Sequence, residues 1–485
     1  MKATLALVAG LAAAGTAAAQ GPLAPLPRSW AMLEIRDALP ASPAERGPLD
    51  PFEAGEPHRS YAIPAAEIAG FELLLNQFDR HFVGNDFDSD LASIRHNLHH
   101  NWVEDRDPFL VNQLGHPYQG SMYHGFARAS GLGYWEASAY TFMGSALWEI
   151  AGETTPPSRN DQITTGIGGS FLGEALFRMA NLVLEREDEL PATWREIAAA
   201  AISPPVGLNR HAFGDRFRSV FDSRDPAFFT RLQVGASRGV GELSAAPSAA
   251  TLRRNEGLVD FLIDYGLPGK AGYEYARPFD YFSFQATASS ANGFESLFTR
   301  GLLAGRAFGE GVKYRGVWGI YGNYDYLSPQ TFRVATTGLS LGTTSEWRMT
   351  HGVSVQATLL GGAGYTAAGT IASSDSRDFH HGLAPQALAA VRIVFGNRAA
   401  IDAIGREYYV TRVAAAERGG HENIARADIS FTWRIRGPHA IAIKYLANRR
   451  DSYYPDIGGL RQEQLRHREG KRLGGLQVDD KLGRR

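Results

Sequence analysis

Arg426 to Ile435 reads RADISFTWRI. Ala427, Ile429, Phe431, Trp433 and Ile435 alternate with Arg426, Asp428, Ser430, Thr432 and Arg434. In an extended chain successive side chains point to opposite faces, so this run is apolar on one face and polar or charged on the other. The same period of two recurs through the second half of the chain. Phe228, Thr230, Leu232, Val234 and Ala236 alternate with Phe229, Arg231, Gln233, Gly235 and Ser237. Phe282, Phe284, Ala286 and Ala288 alternate with Ser283, Gln285, Thr287 and Ser289, and Val353, Val355, Ala357 and Leu359 with Ser354, Gln356 and Thr358. Similar runs lie near 257–267, 296–308, 313–326, 330–343, 385–396, 399–412 and 438–447. About eleven runs are countable, and closed single-chain bacterial barrels take even strand numbers, so ten or twelve strands are expected.

Run length separates a membrane barrel from a soluble sheet. These runs are roughly ten to fourteen residues, where soluble strands average about five or six. A tilted strand needs about nine to eleven residues to cross a bilayer. Arg231, Asp260, Arg392, Arg426, Asp428, Arg434 and Lys444 fall in the polar sets and suit a wet lumen. Trp318, Tyr324, Tyr326, Trp347, Tyr408 and Trp433 suit interface girdles. The chain's 54 glycines and 19 tyrosines agree with a curved, strand-rich barrel. A soluble periplasmic β domain is the weaker competing architecture. The fold class expected is α+β, an N-terminal helical domain followed by an antiparallel β-barrel of about 10–12 strands over residues 221–456. Residues 457–485, rich in Arg and Lys, read as a charged disordered tail, with Tyr453-Tyr454 standing in for a terminal aromatic.

The start of the chain reads MKATLALVAGLAAAGTAAAQ. Lys2, a short apolar run and a small-residue site after Ala19 make residues 1–19 an expected secretory signal. Residues 20–60 carry Pro22, Pro25, Pro27, Pro40, Pro43, Pro48, Pro51 and Pro57 with no surviving apolar period, and read as a linker. Residues 61–220 read as a helical domain. Ile68, Phe71, Leu75 and Phe78 recur at helical spacing after Pro64, and Leu91, Ile94 and Leu98 make a second stripe. Gly120–Gly152 and Ser158–Leu184 are long, small-residue-rich stretches with isolated charges. Pro191, Trp194 and Ile197 open a helix expected to end before Ser203-Pro204-Pro205.

Composition excludes several classes. A net charge of −2 supplies no global field for nucleic acid. The absence of cysteine removes disulfides, thiolate nucleophiles and Cys-ligated metals. No later segment has about eighteen uncharged apolar residues, so a helical transmembrane span is not expected.

The densest segment runs from Asn112 to Glu174. It contains Asn112-Gln113, Gly115-His116-Pro117-Tyr118-Gln119-Gly120, Tyr123, Ala127-Arg128, Gly131, Ser145, Trp148-Glu149, Gly152-Glu153, Ser158, Asn160-Asp161, Gly168-Gly169 and Leu172-Gly173-Glu174. This string resembles the bacterial family known as domain of unknown function 3943. The resemblance covers roughly residues 70–215, including Asn209-Arg210. It implies a Gram-negative envelope protein and carries no activity with it.

His116, Glu149, Glu153, Asp161 and Glu174 are the candidate catalytic residues. Glu149 and Glu153 share a face on a continuing helix, and two close carboxylates hold a hard metal or divide acid and base roles. Against this stands an ion pair of Glu149 with Arg128 or Arg178, with Glu153 solvated at a helix end. His116 precedes Pro117, which favours an extended backbone there, and reads equally as base, ligand or helix-start residue. Ser158 with Asp161 three residues on reads as a helix N-cap. His96, His99 and His100 have ligand spacing, but exposed histidines are the simpler reading. Ser121 near His116 lacks the strand–turn–helix elbow of a serine hydrolase.

Two functions compete. One is an outer-membrane-associated envelope protein, its helical domain periplasmic or plugging a barrel that serves as anchor or pore. The other is an envelope lipid- or polymer-modifying enzyme built on the five candidates. No cofactor is expected, a metal is left open, and the expected partner is outer-membrane lipid rather than nucleic acid.

Overall fold

The computed structural model describes residues 59–473, apart from residues 106, 187–189, 218–219, 245–249, 271, 310–312, 330–331, 351, 371–378, 414–419, 438 and 455–457. The expected signal, nearly all of the linker and residues 474–485 lie outside the described residues. The described chain divides into a helical unit ending at Ser223 and a β unit beginning at Arg224.

The β unit is a closed antiparallel barrel. Its strands are β1 (Phe228–Ser244), β2 (Ala250–Tyr265), β3 (Phe282–Ser289), β4 (Ser296–Phe308), β5 (Tyr314–Leu327), β6 (Phe332–Thr350), β7 (Val353–Thr370), β8 (Phe379–Phe395), β9 (Ala399–Val413), β10 (Gly420–Arg436), β11 (His439–Tyr454) and β12 (Gly458–Leu473). Each pairs with its sequence neighbours, and β12 closes the ring on β1, Leu232 facing Leu473 and Ser244 facing Arg461. Closure leaves no unpaired edge, which an antiparallel sheet in an apolar medium requires. The alternating runs are therefore strands, and twelve falls within the expected range. The tail reading is corrected: residues 458–473 form β12. Its sequence, GGLRQEQLRHREGKRL, has no apolar alternation, so backbone pairing to β1 and β11 is what places it.

The outer face is apolar. Ile429, Phe431 and Trp433 on β10, Ile441, Ile443 and Tyr445 on β11, and Leu339 and Leu341 on β6 all project outward and are exposed. Trp318, Trp347 and Trp433 belong to this surface, as expected of girdle residues. Tyr408 does not: it is buried on the lumen side of β9, opposite in parity to exposed Tyr409. Tyr324 and Tyr326 share the parity of exposed Trp318 and Ile320 on β5, but both are buried. Short connections join β6 to β7, β8 to β9 and β10 to β11, and they mark one rim. Phe228 and Leu473, the two ends of the barrel chain, lie at that same rim.

The lumen is filled by its own side chains. Arg392 on β8 lies 2.7 Å from Asp264 on β2 and 2.6 Å from Asp402 on β9. Arg231 on β1 lies 3.2 Å from Asp260 and 3.3 Å from Asp402. Lys444 lies 2.7 Å from Asp428. Tyr408 on β9 donates to Asp325 on β5 at 2.8 Å, and Phe298 on β4 lies under the Arg406 guanidinium of β9 at 3.9 Å. Four of these contacts, Arg392–Asp264, Arg231–Asp402, Tyr408–Asp325 and Phe298–Arg406, join strands four to six places apart around the ring; the others join neighbouring strands. The connection from Gly266 to Tyr281 folds inward as well. Leu267 and Tyr281 pack with Leu302, Tyr321, Leu360 and Leu388. Phe279 takes a left-handed backbone (φ 66°), and Asp280 beside it accepts the N–H groups of Ala276 and Arg277 at 3.0 and 2.7 Å and pairs with Arg224.

The helical unit contains α1 (Ala62–Phe82), α2 (Leu91–His99), α3 (His116–Ala129), α4 (Tyr134–Leu147), α5 (Arg159–Ile163), α6 (Gly169–Leu184), α7 (Ala192–Ile202) and α8 (Pro204–Ala212). α3 and α6 approach closely because Gly120 lies against Gly169 and Gly173 against Ser121. A Cβ on any of these glycines would strike the facing backbone. α7 ends before Ser203 as expected, but Pro204-Pro205 then opens α8 rather than a turn, proline being tolerated in a helix's first turn.

The two sequence stripes are corrected. On α1, Ile68 is buried, but the inward face continues as Glu72, Asn76 and Asp79 while Phe78 is exposed. On α2, Leu91 and Leu98 are exposed and Asn97 is the buried residue. Asn97 Nδ2 donates to the Glu153 carbonyl at 3.0 Å, so a polar anchor fixes this helix.

Candidate functional site

Three wide π-turns shape the centre of the helical unit: Val111–Gly115, Trp148–Gly152 and Thr164–Gly168. Each inserts an extra residue into a helical path and turns a polar group inward. Asn112, Gln113, Glu149, Thr164 and Thr165 lie on them and are buried. The first turn also corrects the reading of His116. Its backbone is helical (φ −61°, ψ −47°), not extended. A proline ring collides with the carbonyl one α-turn back, and the wider turn relieves that collision while keeping the chain helical.

The structure brings four of the five candidates together. His116 Nε2 lies 3.9 Å from Asp161 Oδ1, both buried. Asp161 accepts the Ser158 hydroxyl on Oδ2 and Asn160 Nδ2 on Oδ1 at 3.2 Å. Ser158 caps α5, its Oγ accepting the Asp161 N–H at 3.2 Å, as the spacing predicts. The Ser158 backbone N–H donates to Glu149 Oε2 at 2.7 Å, which joins the π-turn carboxylate to the cap. Glu153 is half-buried rather than left to solvent at a helix end: Trp148 Nε1 donates to it at 2.7 Å and Thr155 Oγ1 at 3.0 Å.

Burial and mutual repulsion decide the protonation of this group. Burial, with Glu153 and Asp161 nearby, pushes the Glu149 carboxyl well above the ordinary carboxylate range. Burial raises Glu153 to about 7, against the pull of His116. Two carboxylic acids that cannot both ionise can hold and exchange a proton.

α1 adds two acids that the apolar stripe concealed. Burial raises Glu72 to about 8 and Asp79 to about 6, and His116 is a nearby charge for Asp79. Tyr123 faces both Glu72 and Glu149 and accepts from Gln119 Nε2 at 2.5 Å. The sequence signal was present: Glu72 and Asp79 fall four and eleven residues after Ile68, the face that Pro64 and Ile68 bury.

Glu174 belongs elsewhere. It is fully buried and lies 2.9 Å from Arg128 Nε, 2.8 Å from Arg178 Nε and 3.1 Å from His124 Nε2. Burial alone would raise its pKa, but Arg128, His124 and Arg178 overcome this and hold it well below the ordinary carboxylate range. The guanidinium of Arg128 also lies over Phe177 and Phe221 at 4.6 and 5.1 Å. The arginines expected beside Glu149 are thus the partners of Glu174. The geometry of this centre is that of a structural ion-pair core.

Ser121 Oγ donates to the Tyr118 carbonyl at 2.6 Å within its own helix, which occupies the hydroxyl. Among the described residues no cluster of three or more His, Cys, Asp or Glu has metal-binding geometry.

Fold and site together define a closed twelve-stranded barrel preceded by a helical unit with a buried carboxylate–histidine cluster. Residues 101–205, which hold that cluster apart from its α1 acids, match the family described as domain of unknown function (DUF3943). The match falls within the expected span and ends before Asn209-Arg210. No curated protein matches the chain. Among solved structures, the NanC porin is similar at 10% identity, covering 50% of this chain and 100% of its own, with a TM-score of 0.25. The toluene transporter TodX of Pseudomonas putida is similar at 8% identity, covering 52% and 90%, with a TM-score of 0.22. The anion-selective porin from Comamonas acidovorans is similar at 7% identity, covering 51% and 99%, with a TM-score of 0.23. The barrel assignment rests on the chain's own strand pairing.

Proposed function

We propose that this chain is an outer-membrane protein of a Gram-negative envelope, in which a self-filled barrel anchors a working helical unit on the periplasmic side. An exported chain, directed by the signal-like residues 1–19, would reach that membrane. The apolar outer face with Trp318, Trp347 and Trp433 suits lipid. Short turns mark the periplasmic rim in such barrels, and the chain enters β1 at that rim. The observation that carries the anchor reading over a pore is the 2.7 Å pair of Arg392 and Asp264, which joins opposite walls across the lumen.

Two measurements on the full chain test this. Fractionation should recover it in the outer membrane with heat-modifiable gel mobility. In planar bilayers it should give no stable open-channel steps. Recovery in soluble periplasm would overturn the membrane assignment, and porin-like steady conductance would overturn the filled barrel.

A second reading is favoured by the convergence of His116, Glu149, Glu153 and Asp161. The helical unit would then modify an envelope lipid or polymer, with Glu149 or Glu153 as proton donor and His116 as base. Glu174 would position α3 and α6 from its own centre. The purified chain incubated with phospholipid vesicles, lipopolysaccharide or peptidoglycan should yield a product by mass spectrometry. Glu149→Gln should abolish that product at unchanged melting temperature. Product formation that persists in Glu149→Gln removes this residue from the chemistry.

A further inference from the structure

Arginine faces arginine across one strand pair of the lumen. In the β9–β10 register Arg406 stands directly opposite Arg426, and both side chains are buried. Like charges directly opposite one another destabilise a strand pair. Both guanidiniums reach the same aromatic ring: Arg406 lies 3.9 Å and Arg426 5.4 Å from the centre of Phe298 on β4. Arg300, two residues along β4 from Phe298 and therefore on the same face, is a third positive charge in the surroundings of Arg406. Three strands thus bring three arginines to one place in the barrel.

The acids nearby leave this group with an excess of positive charge. Arg231, Arg392, Lys444 and Arg450 each lie within 3.2 Å of a carboxylate. Arg406 is 6% exposed, forms no ion pair among the described residues, and its Nε and Nη1 make no hydrogen bond there. Asp325 and Asp428 are the acids around it. Asp428 is already held by Lys444 at 2.7 Å. Asp325 accepts the Tyr408 hydroxyl on Oδ2 at 2.8 Å, while its Oδ1 stays 3.8 Å from Arg300 and accepts no hydrogen bond among the described residues.

Arginine cannot shed its charge, since the guanidinium stays protonated in proteins. The face of Phe298 offsets part of the cost of burying it, and a buried ion without a counterion remains costly. An oxyanion completes such a group, because each planar fork can give it two parallel hydrogen bonds. The filled lumen restricts that ion to a compact one. Asp402, four residues before Arg406 on β9, belongs to the network of Arg231 and Arg392. On the other side Tyr408, Val410 and Ile424 pack with Phe298 in an apolar cluster.

We propose that Arg300, Arg406 and Arg426 form an oxyanion site inside the barrel that takes free phosphate. The closed wall of hydrogen-bonded strands keeps lipid headgroups out of it. Asp325 supplies the selection: its Oδ1 accepts a hydrogen bond from an anion that still carries a proton, as hydrogenphosphate does, and repels one that carries none, as sulfate does. The site needs only the lumen geometry and holds wherever the barrel resides.

The purified full chain in lipid-free detergent tests this, with inorganic phosphate as the probe. A ligand that binds only the native state raises its melting temperature. Potassium phosphate should raise the temperature at which heat-modifiable mobility is lost by several degrees over potassium chloride at equal ionic strength, and potassium sulfate should do so far less. Arg406→Gln should lose the phosphate response. Arg426→Gln, on the facing strand, is the second variant and should lose it likewise. Arg406→Lys keeps the charge without the fork and should need severalfold more phosphate for the same shift. A native chain that responds to phosphate no more than to chloride overturns the site, as does an undiminished response in either glutamine variant. Equal stabilisation by sulfate overturns the part given to Asp325. A response that appears only after phospholipid or lipopolysaccharide is added overturns the free ion as the ligand. None of these readouts depends on the compartment, so failure here leaves the outer-membrane reading standing.

Discussion

Arg392 and Asp264 stand on strands six places apart in a ring of twelve, yet their side chains meet at 2.7 Å. Arg392 also holds Asp402 at 2.6 Å and lies over the Phe229 ring at 3.8 Å. A buried charge left without its partner costs about 3–5 kcal/mol. Arg392→Met should therefore destabilise the barrel by roughly that amount, since Asp264 and part of Asp402's coordination are stranded. Urea unfolding in detergent, read by the loss of heat-modifiable mobility, measures it. Restoring neutrality with Asp264→Leu beside Arg392→Met should recover part of the loss. A barrel unchanged by Arg392→Met would show that water, not the arginine, satisfies the acids.

The inward-folded connection from Gly266 to Tyr281 has its own lever. A Cβ at Gly301 would run into the Phe279 ring. Inserting a side chain into a packed site costs about 1–3 kcal/mol. Gly301→Leu should expel the connection while the barrel stays folded. Limited proteolysis should then cut within residues 266–281 more readily than in the native chain. Resistance equal to the native chain would mean that β4 yields instead.

Glu174 is the electrostatic centre of the helical unit. Glu174→Gln keeps the shape and strands Arg128 and Arg178 in a fully buried setting. The loss should be about 3–5 kcal/mol, visible as a lower melting temperature of the helical signal. Since burial is outweighed by its partners and the folded pKa is depressed, its contribution is present above the unfolded value near 4.3. It fades only as pH falls below that, so this pair stays intact at pH 5. A melting temperature within a degree of the native chain for Glu174→Gln would remove the ion-pair core.

How far this was legible depends on what neighbours a residue in sequence. Ile429, Phe431 and Trp433 announced their strand because one face meets an apolar surroundings and the other a polar one, and that contrast is local. β12 carries charge on both parities, so its pairing to β1 and β11 was invisible to a pattern built on apolar alternation. Tyr408 could not be told from a girdle residue, because an aromatic suits a filled lumen as well as an interface. In the helical unit, Glu149, Glu153 and Asp161 lie close in sequence, and a cap and a π-turn join them. Which carboxylate the two arginines would take was undetermined by spacing: Arg128 and Arg178 are each within a helical stretch of Glu149 or Glu174. Glu72 and Asp79 were hidden because α1 was assumed to bury its apolar side.

The buried acids predict an unusual pH dependence for that same unit. Burial raises Glu72 to about 8, Glu153 to about 7 and Asp79 to about 6, so the native state holds protons that the unfolded chain has released at neutral pH. Stability then falls as pH rises, from the unfolded value near 4.3 up through the folded values. The helical signal should melt at higher temperature at pH 5 than at pH 8, by an amount on the order of 1–3 kcal/mol in stability. Glu72→Gln is neutral at both pH values and should flatten part of this difference while raising stability at pH 8. Glu149→Gln should leave melting at pH 6 within about 1 kcal/mol, because the amide oxygen still accepts the Ser158 N–H and the native group is already protonated. Glu149→Ala removes that acceptor and should cost more. A melting temperature that rises from pH 5 to pH 8 would mean the cluster is ionised and compensated by a cation, and the proton-holding account would fall.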